Sequence, residues 1–410
     1  MDYEVFSLPN GIRLLHKPAL SNIAHACILI NAGSRDEAEG DPGLAHFIEH
    51  LFFKRTERRN TNQILNRLEL VGADLNAYTT KEYTCIHASF LQEHLERALD
   101  LFQDLVFHSV FPEDELEKEK GVILDEIASY QDQPEDAIYD DFDGLVYEGH
   151  PMGNNILGKT ESVQRFTRDD ILRFLSANYN THGIVIGVLG NYPLEKLKKL
   201  VSRLFGAVKE NDTSKNRIAP VLYRPATYHE KKPISQSHCV TGNLAYNLHH
   251  KNKTGLLLLN NLLGGTGMSS RLNLEIREKY GIAYTIESSY APFSDTGMFS
   301  VYFGTDPEKK DKALKLVQRE LRKLREQGLG VTQLHQAKKR FIGQIALGEE
   351  NRMSLLISMS KSLVDYGRVD SLEEVFDRVN AVTAPQLLEI ANEVFDPERF
   401  TTLVFDPLKE

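Results

Sequence analysis

Tryptophan is absent from the sequence, cysteine appears three times in 410 residues, and no apolar run approaches the roughly 20 residues that a bilayer-spanning helix requires. Membrane insertion is therefore not expected. Cys27, Cys85 and Cys239 are odd in number, far apart and without Cys-x-x-Cys spacing, which argues against a disulfide framework and against a cysteine zinc site. Three buried thiols in a reducing, cytoplasmic setting fit this pattern. The opening stretch from Met1 to Asn10 has no basic segment leading into an apolar one, so no export signal is read there. Positive charge is also scarce. The 48 Lys and Arg against 58 Asp and Glu leave a formal charge of −10, which excludes the basic surface that nucleic-acid phosphates demand. An acidic surface serves solubility, and where it lines a cavity it attracts basic peptides.

What is present is ordinary for a folded chain: 41% hydrophobic and 26% charged residues, a balance too even for disorder. A length of 410 residues exceeds what one hydrophobic core serves, so two domains are expected. Ile12 to His16 and Ala24 to Asn31 have the apolar and β-branched content of paired strands, and Tyr83 to Phe90 alternates with the period of a strand. Helical spacing runs from Leu44 onward, from Glu93 to Phe107 and from Glu113 to Tyr130. The polar, aperiodic stretch from Lys209 to Pro225 is the candidate linker.

An echo spans that linker. Ala98-Leu-Asp-Leu-Phe-Gln103 returns as Ala313-Leu-Lys-Leu-Val-Gln318, and each leads into a helix holding Asp125-Glu-Ile-Ala128 or Gly343-Gln-Ile-Ala346. Phe166-Thr-Arg-Asp-Asp-Ile-Leu with Val185-Ile-Gly-Val-Leu returns as Val382-Thr-Ala-Pro-Gln-Leu-Leu with Thr402-Leu-Val-Phe. The shared order reads as duplication of one α+β domain, with residues 1–212 and 213–410 as the two copies.

The segment Gly43-Leu-Ala-His46-Phe-Ile-Glu49-His50-Leu-Phe-Phe53 carries the chemistry. At about 100° per residue, His46, Glu49 and His50 share one sector of a helix, while Leu44, Phe47, Ile48, Leu51 and Phe52 take the other. Histidines at i and i+4 stand one turn apart and can bind a single metal ion. With 14 histidines in the chain, the motif by itself is also compatible with an ordinary amphipathic helix, so a third ligand is needed. Glu119 and Glu126 lie seven residues apart on one face of the Glu113 to Tyr130 helix and offer it, although a lone helix carboxylate more often faces solvent. Two imidazoles and a carboxylate leave a fourth position open for water, the mark of a catalytic zinc site.

His46-Phe-Ile-Glu49-His50, followed after 75 residues by Glu126, resembles the metal signature of the pitrilysin-like and mitochondrial-processing-peptidase-like inverzincin zinc peptidases, of the short-chain M16 type. The flanking Gly43-Leu-Ala-His-Phe and Phe53-Lys-Arg-Thr are similar too, although Arg55 stands where glycine is frequent. The resemblance implies an α+β fold of two homologous domains, each a mixed, largely antiparallel sheet covered by helices, of the LuxS- and processing-peptidase-like metallohydrolase type. It implies His46, His50 and Glu126 as ligands of one Zn2+ per chain, Glu49 as general base, and Glu119 as a second acid supporting the site. Asn76 and Ala77 match the family's edge strand, which pairs with extended substrate. Arg277 and Tyr284, in Ser269-Ser-Arg-Leu-Asn-Leu-Glu-Ile-Arg277-Glu-Lys-Tyr-Gly281-Ile-Ala-Tyr284, match its Arg/Tyr element, which binds the substrate backbone or the developing oxyanion.

Gly264-Gly-Thr-Gly267 is not followed by Gly-Lys-Ser/Thr and so reads as a turn, not a phosphate loop. The second half has no His-x-x-Glu-His, and Gln344 stands where the first half has Glu126, so no metal is expected there. The implied function is a zinc metalloendopeptidase that cuts peptides or unfolded polypeptide, basic ones included, inside the chamber of a homodimer. The alternatives are an inactive, structural peptide-binding subunit of the same fold and one half of a heterodimeric peptidase.

Overall fold

In the computed structural model, residues 3–213, 215 and 217–408 are described. Met1 and Asp2 of the opening stretch, and Ser214 and Asn216 of the expected linker, lie outside them. The chain begins with β1 (Glu4–Ser7), β2 (Arg13–Pro18), β3 (Ile23–Ile30), helices α1 (Leu44–Phe52) and α2 (Thr61–Glu69), then β4 (Asp74–Thr79) and β5 (Thr84–Leu91). Helices α3 (Leu95–His108), α4 (Glu113–Gln131), α5 (Pro134–Val146), α6 (Thr160–Arg165) and α7 (Arg168–Asn178) follow, before β6 (Ile184–Gly190) and α8 (Leu194–Phe205). The second half has β7 (Thr227–Lys232), β8 (Ser237–Leu244), α9 (Lys253–Gly264), a π-helical turn (Asn273–Glu278), β9 (Ala283–Pro292) and β10 (Gly297–Thr305). Helices α10 (Lys310–Glu326), α11 (Val331–Gly348), α12 (Arg352–Tyr366), α13 (Leu372–Ala381) and α14 (Ala384–Val394) precede the last strand, β11 (Thr401–Pro407).

The first sheet has the order β1-β2-β6-β3-β5-β4. The expected pairing of the strands at 12–16 and 24–31 is not found: β6 lies between them, parallel to β2 and antiparallel to β3. The physical reason is in β6 itself. Its sequence, Ile-Val-Ile-Gly-Val-Leu-Gly, is apolar on both faces and buried at every position, which suits the middle of a covered sheet, whereas β2, Arg-Leu-Leu-His-Lys-Pro, is half polar. The second sheet has the order β7-β11-β8-β10-β9, with β11 parallel to β7 and antiparallel to β8. Apart from the extra β1, the two orders are the same, strand for strand. The echo in the sequence is thus a duplicated topology, and its helix starts correspond as well. Thr167 caps α7 by accepting from the Asp170 N–H, and Thr383 caps α14 by accepting from the Gln386 N–H.

A single cut near residue 212 does not separate the compact units, which interleave. One holds Met1–Ala128, Asn154–Asn216 and Leu347–Ser371; the other holds Ser129–Gly153, Arg217–Ala346 and Leu372–Glu410. The two halves have exchanged a helix. In the first unit α12 lies on β3 and β6, where Leu356, Met359 and Leu363 fill the space beside Leu15, Cys27, Val185 and Leu189. In the second unit α5 lies on β8 and β11, with Ile138, Phe142 and Val146 against Val240, Leu403 and Phe405. The apolar face of each helix covers a sheet face that would otherwise meet water. No helix among the described residues is long and apolar enough to cross a membrane.

Gly187 of β6 shows how closely α12 is seated. A Cβ there would stand 2.6 Å from Ser360 Oγ, 2.8 Å from Cys27 Sγ and 3.0 Å from Leu356 Cδ1. Gly187→Ala is expected to destabilise the first unit by about 1–3 kcal/mol through overpacking, read as a lower midpoint in urea unfolding followed by circular dichroism. An unchanged midpoint would show that α12 is only loosely held.

Candidate metal centre

Helix α1 starts where the chain allows no side chain. Gly43 has φ +97°, and a Cβ on it would lie 2.7 Å from Gly158 Cα and Leu157 O, so both the backbone angle and the close approach require glycine. Leu44, Phe47, Ile48, Leu51 and Phe52 are buried in the first unit's core and fix the roll of the helix. That roll aims His46 and His50 at α4, whose Leu116, Glu119 and Ile123 are buried, and Glu49 at Thr79 of β4.

The site assembles from these two helices. His46 Nε2 lies 3.9 Å from Glu126 Oε1, and His50 Nε2 lies 3.5 Å from Glu126 Oε2. The two imidazole centroids are 4.6 Å apart. One ligand atom each from His46, His50 and Glu126 fall within 4.8 Å of one another, the one such group among the described residues. Glu119 stands behind them: the His50 Nδ1–H donates to Glu119 Oε1 at 2.9 Å, and Lys54 Nζ donates to Glu119 Oε2 at 2.6 Å. This arrangement fixes the tautomer of His50 and turns its Nε2 toward Glu126, as metal-ligating histidines are held from behind. Glu49 is nearly buried, and its Oε2 accepts from Thr79 Oγ1 at 2.5 Å.

Protonation follows from burial and charge. Burial, with the charge of His50 beside it, lowers the pKa of His46 to about 3, so the imidazole is neutral and able to ligate. For His50, burial works downward, but the hydrogen bond to Glu119 and the charges of Glu119, Glu126 and Glu49 outweigh it and raise the pKa. The negative field that favours a proton on His50 is the same field that attracts a dication. Burial raises Glu49 above the ordinary carboxylate range, an effect that Thr79 only partly offsets. Glu119 is lowered: burial pushes it up, yet the bonds from His50 and Lys54 prevail. A neutral imidazole, a second imidazole oriented by a carboxylate, and a half-exposed carboxylate make a donor set that fits zinc.

The remaining expected residues fall in two places. Asn76 and Ala77 lie on β4, an edge strand of the first sheet, and the Ala77 N–H donates to Asn76 Oδ1 at 2.8 Å. Arg277 and Tyr284 belong to the second unit. Arg277 sits in the π-helical turn and Tyr284, 79% exposed, opens the edge strand β9; the Arg277 Cζ is 5.7 Å from the Tyr284 ring centroid. They share an open pocket of about 460 Å³ with the loop of Gly264 to Met268.

Three residues that support the site went unread in the sequence. Glu37, buried, accepts from the Gly43 N–H at 3.1 Å and the Ala45 N–H at 2.9 Å, and so caps α1 from outside the helix. Its distance along the chain hides it. Lys54 lies in the turn just after α1, where helical spacing no longer places a side chain. Thr79 gave no local signal.

Two family models match successive parts of the chain. Residues 14–160 match the family model described as Insulinase (Peptidase family M16), and residues 165–341 match the model described as Peptidase M16 inactive domain. An uncharacterized zinc protease of Bacillus subtilis is 31% identical over 401 residues, 97% of this chain and 97% of that protein. The chain belongs to peptidase family M16. An uncharacterized zinc protease of Mycobacterium leprae is 32% identical over 98% of this chain and 91% of its own length. Among solved structures, a protease from Helicobacter pylori superposes with a TM-score of 0.91 at 24% identity, covering 99% of both chains. A peptidase M16 inactive domain from Pseudomonas fluorescens gives 0.90 at 21%, covering 100% of this chain and 98% of that one.

The second M16 copy carries a trace of the same layout. Helix α9 follows β8 as α1 follows β3, and laying Leu256–Leu263 on Ala45–Phe52 puts Leu257 at the place of His46, Asn260 at that of Glu49 and Asn261 at that of His50. Asn261 Nδ2 donates to Gln344 Oε1 at 2.6 Å, so two neutral amides meet where the first copy has His50 and Glu126.

Glu37→Ala leaves two buried N–H groups at the start of α1 without an acceptor. The expected loss is about 1–3 kcal/mol of stability in the metal-free chain, measured by urea unfolding, together with weaker zinc binding in a competition titration. Unchanged values in both measurements would remove Glu37 from the support of the helix.

Proposed function

We propose that this chain is a zinc-dependent endopeptidase that hydrolyses peptides or unfolded polypeptide segments. The observation that carries the reading is the convergence of donor atoms from His46, His50 and Glu126 within 4.8 Å, with the buried Glu49 on the same helix face. The names of the relatives, zinc proteases, support it. In this reading His46, His50 and Glu126 hold one zinc ion per chain. Zinc bound there lowers the pKa of a water molecule and polarises the scissile carbonyl. Glu49 takes the proton from the attacking water and passes it to the departing amine, a task its raised pKa suits. Glu119 touches no substrate; it keeps His50 oriented.

Substrate lies along β4 as an added strand, its carbonyl taking the Ala77 N–H that Asn76 now holds. Arg277 and Tyr284 supply donors to the substrate backbone or the oxyanion, and they do so from the partner copy in a homodimer whose chamber excludes folded proteins. The formal charge of −10 favours basic peptides. Three free, buried cysteines agree with a cytoplasmic location.

Glu49→Gln is expected to keep one zinc per chain by elemental analysis and to cut cleavage of a quenched fluorogenic peptide library by about 10²–10⁴-fold. His46→Ala and Glu126→Ala are expected to lose the metal. A wild-type chain that holds zinc and cleaves nothing would favour the non-hydrolytic peptide-binding reading.

The homodimer is tested by complementation. Co-expressed Glu49→Gln and Arg277→Ala chains, each inactive alone, are expected to regain about a quarter of wild-type activity if the two residues meet across a two-fold interface. No recovery, or a monomer by light scattering that becomes active only with another protein, would replace it with the heteromeric reading.

A further inference from the structure

The Gly264 to Ser269 loop walls the pocket that holds Arg277 and Tyr284, and three of its six residues are glycine. Glycine gives such a loop freedom that folding must remove, so its position depends on what ties it down. The base of the loop is fixed by sterics: a Cβ on Gly264 would lie 2.5 Å from the Ser288 N of β9. The tip cannot be fixed in that way. Gly267 has φ +120°, and Met268 beside it is 76% exposed.

The ties at the tip come from one face of α11. Gln344 Nε2 donates to Thr266 O at 2.7 Å, and one turn earlier Arg340 Nη1 donates to Ser269 O and to Ser269 Oγ, each at 3.1 Å. Gln344 is itself oriented from the other side, because Asn261 Nδ2 donates to its Oε1 at 2.6 Å. A glutamate at this position would accept from Asn261 but would repel the Thr266 carbonyl. Only the amide bridges a donor on α9 and an acceptor on the loop at once. The chemistry that removes a metal ligand from the second copy is therefore the chemistry that lets the residue hold the loop.

We propose that Gln344 is a positioning residue that latches the Gly264 to Ser269 loop to α11 and so sets the wall of the Arg277 and Tyr284 pocket for peptide binding. The inference rests on the reading of that pocket as a peptide-contacting surface; the latch itself does not.

The test uses the full-length chain in two arms. In the first, hydrogen exchange of the loop amides is compared between wild type and Gln344→Leu; exchange at residues 265–269 is expected to rise about tenfold. In the second, a fluorescein-labelled basic decapeptide is titrated into Glu49→Gln chains with and without Gln344→Leu. The added substitution is expected to weaken Kd roughly five- to tenfold, with zinc content unchanged. Gln344→Glu is expected to behave like Gln344→Leu, and Arg340→Met to weaken binding less than additively with it, because both act on one loop. Unchanged loop exchange overturns the latch. Faster exchange with unaltered Kd overturns the link from the loop to peptide binding. A peptide that binds through the latched loop but is never cut by wild type counts against the peptidase reading and leaves the latch supported.

Discussion

The hydrogen bond between His50 and Glu119 joins α1 to α4 at 2.9 Å, and the geometry of the candidate metal centre depends on it. It ties together residues separated by 69 positions in the chain, fixes which nitrogen of His50 faces Glu126, and gives Glu119 a reason to be buried. Lys54 completes the arrangement by neutralising the second oxygen of Glu119. Without these partners a buried carboxylate would take up a proton and His50 would turn freely. Around this contact the protein gathers supports of modest individual strength: the Glu37 cap at one end of α1, the Thr79 hydroxyl on Glu49, and the apolar face that sets the roll of the helix.

Duplication explains much of the remaining architecture. The two sheets share a strand order, the two capped helices α7 and α14 start with the same threonine, and an edge strand occurs at the same place in each. The copies have diverged in charge. Two imidazoles and a carboxylate gather in the first, whereas Leu257, Asn261 and Gln344 take the matching places in the second. A neutral amide pair does not attract a dication, but it can bridge donors and acceptors, and here it links a helix to a glycine-rich loop.

Some of this was legible in the sequence because it is local. The side of α1 that carries His46, Glu49 and His50 follows from helical periodicity, and so does the pairing of Glu119 with Glu126 on one face of α4. The strand β5 could be read from the alternation of Tyr83 to Phe90. The expected pairing of β2 with β3 failed because the strand that belongs between them, β6, comes about 150 residues later, and strand partners are chosen by burial across the whole sheet. The exchange of α5 and α12 was hidden for a related reason. An apolar helix face records that it must be covered, and does not record by which sheet.

What the sequence determined by itself is the chemistry and its periodicity: which residues can ligate, which faces are apolar, and that one domain occurs twice. Tertiary structure alone decided the distances. It brought Glu126 to within 4 Å of both histidines, placed Glu37 under the start of α1, and set Thr79 against Glu49. The physical reason is that helix and strand periods fix direction about one axis. Which axes meet, and how closely, is settled only when each apolar face finds its cover.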